Sequence, residues 1–408
     1  MKKLKIGLFI DSFFPMVDGV VMVVDNYARR LCQSAEVTVF APGSKQKGFD
    51  DSVFPYRVVR SKILKVPKLD YVLPCPGVDR KFKRAMEEAA LDIVHLHSPA
   101  TIGRAGLAHA RKHNIPVVAH MHSQFKRDFS AVVSWKWFVN LMMKYAMKIY
   151  NRCDVCWAVN GEIARLLYED YGCKVKPTVQ QNATEMLPLE DPQKARALDE
   201  RYGILPGEKV FLFVGRLVLV KGILFLADAL KVLKDRGLKF RMFFVGSGQE
   251  GEIRLRKRLE ELELSECILT GSVSDREELR LFYARADLFL FPSLYDANSI
   301  VQIEAASQRT PSVFLEGAAT ASTVTADRNG YLAPNDPAAF ADKILAVLPN
   351  ELDRLTPEES EKKRTAFESV REHAFRELYL TWDQLAEKVL KDYEKIVADY
   401  RSEHGEKR

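Results

Sequence analysis

No stretch of the 408-residue chain approaches the roughly 18 consecutive apolar residues that a membrane-crossing helix needs. Near the start, the apolar run Ile6 to Ile10 stops at Asp11, too soon for the core of a secretory leader. It reads better as a first buried strand, and a cytoplasmic location is expected. Six cysteines in a chain this long give no disulfide framework. Cys153 and Cys156 form a C-x-x-C inside the apolar run C-D-V-C-W-A-V-N. With no second such pair and no His pair at ligand spacing, a structural role is favoured over redox or zinc. The chain also lacks any Asp-x-Asp, which removes one common way of holding a metal ion against a diphosphate.

What is present is globular: 47% hydrophobic and 28% charged residues, over a length that suggests two domains of about 180–200 residues. Charge is unevenly spread. Residues 1–185 carry 28 Lys+Arg against 17 Asp+Glu, whereas the remainder carries 33 against 38. The basic half suits an anionic partner such as a phospholipid surface or a phosphorylated acceptor, unless its solvated charge is merely uneven. Nucleic acid is not expected.

Along the chain, strand-like and helix-like segments alternate, the pattern of parallel α/β sheets. K-I-G-L-F-I, E-V-T-V-F-A-P, L-D-I-V-H-L-H-S, I-P-V-V-A-H-M-H-S and C-D-V-C-W-A-V-N are short continuous apolar runs, as expected of strands covered on both faces. The rhythm lapses at Met186 to Asp199 and restarts with K-V-F-L-F-V-G-R. This predicts a first domain at 1–185, a linker at 186–199 and a second domain at 200–375. A C-terminal helix at 376–400 follows, for which the first domain is a candidate partner. Both domains read as doubly wound, Rossmann-like sheets facing a cleft, with ligands expected beyond the carboxyl ends of the strands.

Four places fall at such strand ends. The loop Asp11 to Val21 carries Gly19 beside a helix start, which permits close backbone approach and favours an anion. In the second half, Arg216 and Lys221 flank a helix start directly after a strand; fixed cations there can neutralise a departing diphosphate. Asp296 and Glu304, with seven residues between them, bracket the start of another helix and can accept hydrogen bonds from hydroxyl groups. Finally, His120 and His122 end one strand and His95 and His97 the preceding one, open to structural or metal-binding readings.

Taken in order, V-G-R-L…K-G at Val214–Gly222, the acid pair Asp296–Glu304, D-I-V-H-L-H-S at Asp92–Ser98 and P-S-V-F-L-E-G…N-G-Y-L at Pro311–Leu332 resemble glycosyltransferase family 4, retaining enzymes of the GT-B fold. The resemblance covers nearly the whole chain. It implies a nucleotide-sugar donor of UDP-glucose type and no cofactor or metal. Arg216 and Lys221 would contact the donor diphosphate, with Gly19 nearby, and Glu304 would hold the ribose. Asp296 with the backbone around Ser299 and Ile300 would hold sugar and phosphate, and His122 would sit beside the transferred hexose. Three departures touch the pocket: Asp296 stands where the family usually has Glu, Asn298-Ser299 where it has Phe-Gly, and Gln181-Asn182-Ala183 where it has Pro-Asn-Gly. The first half is also similar to bacterial diacylglycerol glucosyltransferases. Its segment Phe125 to Tyr150 mixes aromatics with Lys126, Arg127, Lys136, Lys144 and Lys148, which suits a peripheral membrane contact and a lipid acceptor. His97, Phe125, Lys126, Arg127 and Trp135 are the acceptor-side candidates. A core helix with snorkelling lysines, a soluble or lipid-linked glycan acceptor, and a non-catalytic nucleotide-sugar-binding protein remain open alternatives.

Overall fold

The apolar runs become strands buried on both faces. In the computed structural model, which describes residues 3–44, 46, 48–65, 72–132, 135–294, 296–297, 300–349, 352 and 355–405, the chain divides into two units. One comprises Met1–Asn182 with Trp382–Arg408, the other Ala183–Thr381.

The first unit contains β1 (Lys5–Phe9), β2 (Glu36–Pro42), β3 (Arg57–Ser61), β4 (Ile63–Lys65), β5 (Val72–Pro74), β6 (Ile93–Leu96), β7 (Val117–Met121), β8 (Val155–Ala158) and β9 (Thr178–Val179). Seven of these form a parallel sheet in the order β3-β2-β1-β6-β7-β8-β9. The short β4 and β5 pair antiparallel beside it. Strand order reverses between β1 and β6, where Rossmann-like sheets open a ligand crevice beyond the strand ends.

The second unit repeats the plan with β10 (Lys209–Val214), β11 (Phe240–Val245), β12 (Cys267–Gly271), β13 (Leu288–Phe291), β14 (Ser312–Leu315) and β15 (Tyr331–Ala333). These strands are parallel, in the order β12-β11-β10-β13-β14-β15, so the reversal lies between β10 and β13. Phe211, Phe213, Phe243, Phe289 and Phe291 are buried in its core. The C-x-x-C is structural in its setting: Cys153 and Cys156 are buried, and burial raises the Cys153 thiol.

Two segments differ from the sequence-based expectation. The stretch 186–199 is not a bare connector. Asp191 caps a 3-10 turn at Pro192–Arg196, a helix follows at Ala197–Tyr202, and Ala195 and Leu198 are buried. Leu189 N–H donates to Gln308 and Arg285 donates to Asp199 (2.5 Å), so the segment packs within the second unit. At the other end, the helix expected at 376–400 starts later, and residues 376–378 end a separate helix of the second unit. The helix Pro357–Leu378 starts with a Thr356/Glu359 capping box and adds Phe367 and Val370 to the second core. A new helix, Trp382–His404, belongs to the first unit.

That last helix is amphipathic, with Trp382, Leu385, Val389, Tyr393 and Val397 buried. Tyr393 bonds through its hydroxyl to His95 Nδ1 (2.5 Å), and Arg401 donates to Asp92 (2.8 Å). Replacing Leu385, which is fully buried, by Ala is expected to destabilise the first unit by about 2–5 kcal/mol. Urea unfolding followed by hydrogen exchange within residues 3–182 measures this; an unshifted midpoint would show that the helix adds nothing to that core.

Candidate active site

In the second unit, β10 and β13 run side by side and deliver their loops to the point of strand reversal. The loop after β10 is pinned by Gly215 N–H to Val245 O and Leu217 N–H to Ser247 O, both 2.9 Å. Gly222 takes a left-handed backbone (φ 74°), and a Cβ there would lie 2.4 Å from the Pro292 carbonyl oxygen. Only glycine lets the two loops approach this closely. Their approach sets Lys221 Nζ 3.3 Å from Asp296 Oδ1 and 5.1 Å from the centre of the Phe291 ring. The Ser293 hydroxyl donates to Asp296 Oδ2 at 2.7 Å. Arg216, two residues beyond β10, is exposed and has no ion-pair partner among the described residues. Lys221 and Asp296 are therefore brought together.

The next helix, Ile300–Ser307, begins four residues after Asp296. Ile300 is its first residue; Ser299 and Asn298 lie outside the described residues. Glu304 is buried one turn on, its Oε1 receiving Arg276 Nη2 at 2.6 Å and its Oε2 the Tyr283 hydroxyl at 2.9 Å. Burial, with the Glu304 charge, raises the Tyr283 phenol well above its usual range, keeping it a donor. The carboxylate is thus oriented by two donors and retains lone pairs for a hydroxyl group.

In the first unit, Gly19 opens the helix Gly19–Ser34, and a Cβ there would meet no atom within 4 Å. The helix start is nevertheless not a bare anion site, because the Asp18 carboxylate accepts from Val21 N–H at 2.8 Å. An incoming phosphate would have to share that end with a negative charge.

The histidines gather at the ends of β6 and β7. Ring centres of His95 and His97 are 4.0 Å apart, and those of His120 and His122 are 4.1 Å apart. His97 Nδ1 and His122 Nε2 share a hydrogen bond of 3.0 Å. His95 Nε2, His97 Nε2 and His122 Nδ1 are buried without a hydrogen-bond partner. Ligand atoms of His95, His97 and His120 lie within 4.8 Å of one another, close enough to share a metal ion; the same holds for Glu87, His109 and His113. Of the acceptor-side candidates, Phe125 is buried at the start of the helix Phe125–Val132, whereas Lys126 and Arg127 are exposed. Trp135, with extended backbone, ends that stretch, and a second helix runs from Lys136 to Tyr150, so the expected single helix is a pair.

Sequence reasoning passed over the loop Val245-Gly246-Ser247-Gly248. Gly246 packs so tightly that a Cβ would lie 2.0 Å from the Gly215 carbonyl oxygen, and the helix Gln249–Glu261 starts with no side-chain cap. A G-x-G between strand and helix was the available signal. Arg276, Tyr283 and Ser293, which orient the two carboxylates, gave no local signal.

Burial holds His95, His97 and His120 well below the usual imidazole range, helped by their neighbours, and brings His122 down to about 3. An unfolded chain binds these protons near pH 6.5, so stability is intact above that value and falls as pH drops toward the folded-state values. The first unit should lose up to about 1.4 kcal/mol per pH unit for each histidine over this window. His120→Gln should flatten the dependence of melting temperature on pH by about one proton; an unchanged slope would show that the cluster charges readily while folded.

Comparison with known proteins extends across both units. Residues 17–185 match the family described as Glycosyltransferase Family 4, and residues 208–350 match Glycosyl transferases group 1. An alpha-monoglucosyldiacylglycerol synthase of Acholeplasma laidlawii is 27% identical over 330 residues, covering 76% of this chain and 79% of the relative. A GDP-mannose-dependent alpha-mannosyltransferase of Corynebacterium glutamicum is 25% identical over 412 residues, covering 98% and 90%. Among solved structures, HepE from Anabaena in complex with UDP and glucose superposes with a TM-score of 0.69 at 15% identity, covering 96% of this chain and 99% of that one. The paired Rossmann-like units have the GT-B fold. With both halves matched, the chain belongs to the family 4 glycosyltransferases.

Proposed function

We propose that this glycosyltransferase moves a hexose, with retention, from a nucleotide sugar of UDP-glucose type to a hydroxyl group of a membrane lipid such as diacylglycerol. The observation that carries the acceptor reading is the helix pair Phe125–Val132 and Lys136–Tyr150. It presents five cations against the single acid Asp128, with Trp135 and Trp137 65% and 64% exposed. Such a surface suits the headgroup region of an anionic membrane. No described helix is long and apolar enough to cross one, so the contact would be peripheral, at the cytoplasmic face. Relatives named alpha-monoglucosyldiacylglycerol synthase, from Acholeplasma laidlawii and Streptococcus pneumoniae, support the same acceptor class. The full-length similarity to a GDP-mannose-dependent enzyme favours a second reading of the donor, as GDP-mannose.

The chemistry follows from charge. As the sugar–phosphate bond breaks, negative charge grows on the diphosphate. Lys221, already desolvated against Phe291 and Asp296, and the exposed Arg216 would compensate it without a metal. Glu304, fixed by Arg276 and Tyr283, would accept from the ribose hydroxyls. His122, uncharged near neutral pH, would offer the hexose a hydrogen bond rather than a charge. No protein nucleophile is required where a departing phosphate oxygen takes the acceptor proton on the same face of the sugar.

Mass-spectrometric identification of the product from a panel of UDP- and GDP-sugars, offered with diacylglycerol and with soluble glycans, tests this reading. Transfer to soluble glycans alone would overturn it. Lys221→Ala should lower turnover by about 2–4 kcal/mol, or roughly 30- to 1,000-fold, because one charge-assisted contact to developing charge is lost. Prolonged chelation with EDTA should leave the rate within about twofold of untreated enzyme; strong, metal-reversible inhibition would show that the cations do not suffice.

A further inference from the structure

The same two helices, packed against each other, leave a cavity of about 700 Å3 within the first unit. Its sides are Phe125, Phe129, Phe138, Leu141 and Met142. Ser98 and Ser123 stand at one end, each two residues beyond the carboxyl end of β6 or β7, and Ser123 directly follows His122. Among the described residues of the lining, Asp128 is the only ionisable group apart from the Tyr145 phenol. A pocket for a free sugar needs several convergent donors and acceptors. This one has the volume of a ligand site but an almost wholly hydrocarbon lining.

One edge of the helix Lys136–Tyr150 joins this cavity to the outer surface. Leu141 and Tyr145 both line the cavity and are 53% and 38% exposed. Trp137 lies one turn before Leu141, and its ring stacks on that of Trp135 at 6.3 Å with an interplanar angle of 10°. A continuous apolar strip this exposed is costly in water and is expected at a membrane contact. Exposed Lys126, Lys136, Lys144 and Lys148 lie on the same helices, matching anionic headgroups around an apolar entry.

We propose that this cavity seats an acyl chain of the acceptor lipid. The chain enters along Trp137, Leu141 and Tyr145, and the glycerol hydroxyl is left at the Ser98–Ser123 end beside His122. The inference rests on the lipid-acceptor reading and adds to it a measuring device: the cavity wall, rather than headgroup contacts, sets preference for chain length.

Two experiments on the full-length protein test it. A monoacylglycerol with a photoactivatable diazirine at the end of a long acyl chain is bound to the wild type in phosphatidylglycerol-containing vesicles, irradiated, and mapped by peptide mass spectrometry. Labels are expected within residues 125–129 and 138–145; labelling elsewhere overturns the assignment. Met142→Trp should shorten the cavity and lower kcat/KM for long-chain relative to short-chain diacylglycerols by about tenfold or more, the worth of two displaced methylenes. An unchanged ratio in a folded variant also overturns it, and should the variant not fold, the wild-type labelling decides. Wild type that glycosylates lipid but is labelled outside these segments refutes only the chain seat. Wild type that glycosylates soluble sugars alone refutes the reading beneath it.

Discussion

A lysine ammonium held between a carboxylate and an aromatic ring, at the ends of two adjacent strands, is the contact on which the proposed donor site depends. Lys221 reaches Asp296 only because β10 and β13 are neighbours in a sheet whose order reverses there, and because Gly222 has no Cβ to strike Pro292. The pair is partly desolvated, so its charges interact more strongly than on open surface. Asp296 is also fixed by Ser293. The result is a cation fixed in place; in the proposed reaction, little reorganisation would be left for the moment of bond cleavage.

A different constraint governs the first unit. Four imidazoles in contact inside a sheet edge repel one another if charged, and burial removes the water that would stabilise the charge. They therefore serve as neutral dipoles. His122, lowered by its own burial, is bonded to His97, and His95 is tied to Tyr393, which lies 298 residues away in sequence. The exposed aromatic and basic helix pair follows the strand that ends in this uncharged cluster, an arrangement that would suit the proposed acceptor, a hydroxyl on an otherwise apolar body.

Much of this was legible in the residues because burial on both faces forces continuous apolar runs, and the strands around Ile6, Val94, Val118, Phe211 and Phe289 announce themselves that way. Lys221, Asp296 and Glu304 stood out by their place at strand ends. Their actual partners did not, since Lys221 and Asp296 are 75 residues apart in sequence and Tyr393 lies 298 residues from His95. Long-range pairing depends on strand order, which no local pattern encodes. The segment 186–199 misled because two prolines and many charges look like a linker, although Pro192 begins a turn and Leu198 is buried. Phe125 to Tyr150 reads as one helix because its composition is uniform, whereas among the described residues Trp135 has extended backbone between two helices.

The helix Trp382–His404 gives the chain an unusual order of completion. The second unit is one uninterrupted stretch, whereas the first waits for residues made last. During synthesis, the later-encoded unit can close while the earlier one still lacks the helix that buries Leu385, Val389 and Tyr393. Until then His95 lacks its Tyr393 partner, so the first sheet can be translated in full and still await part of its core.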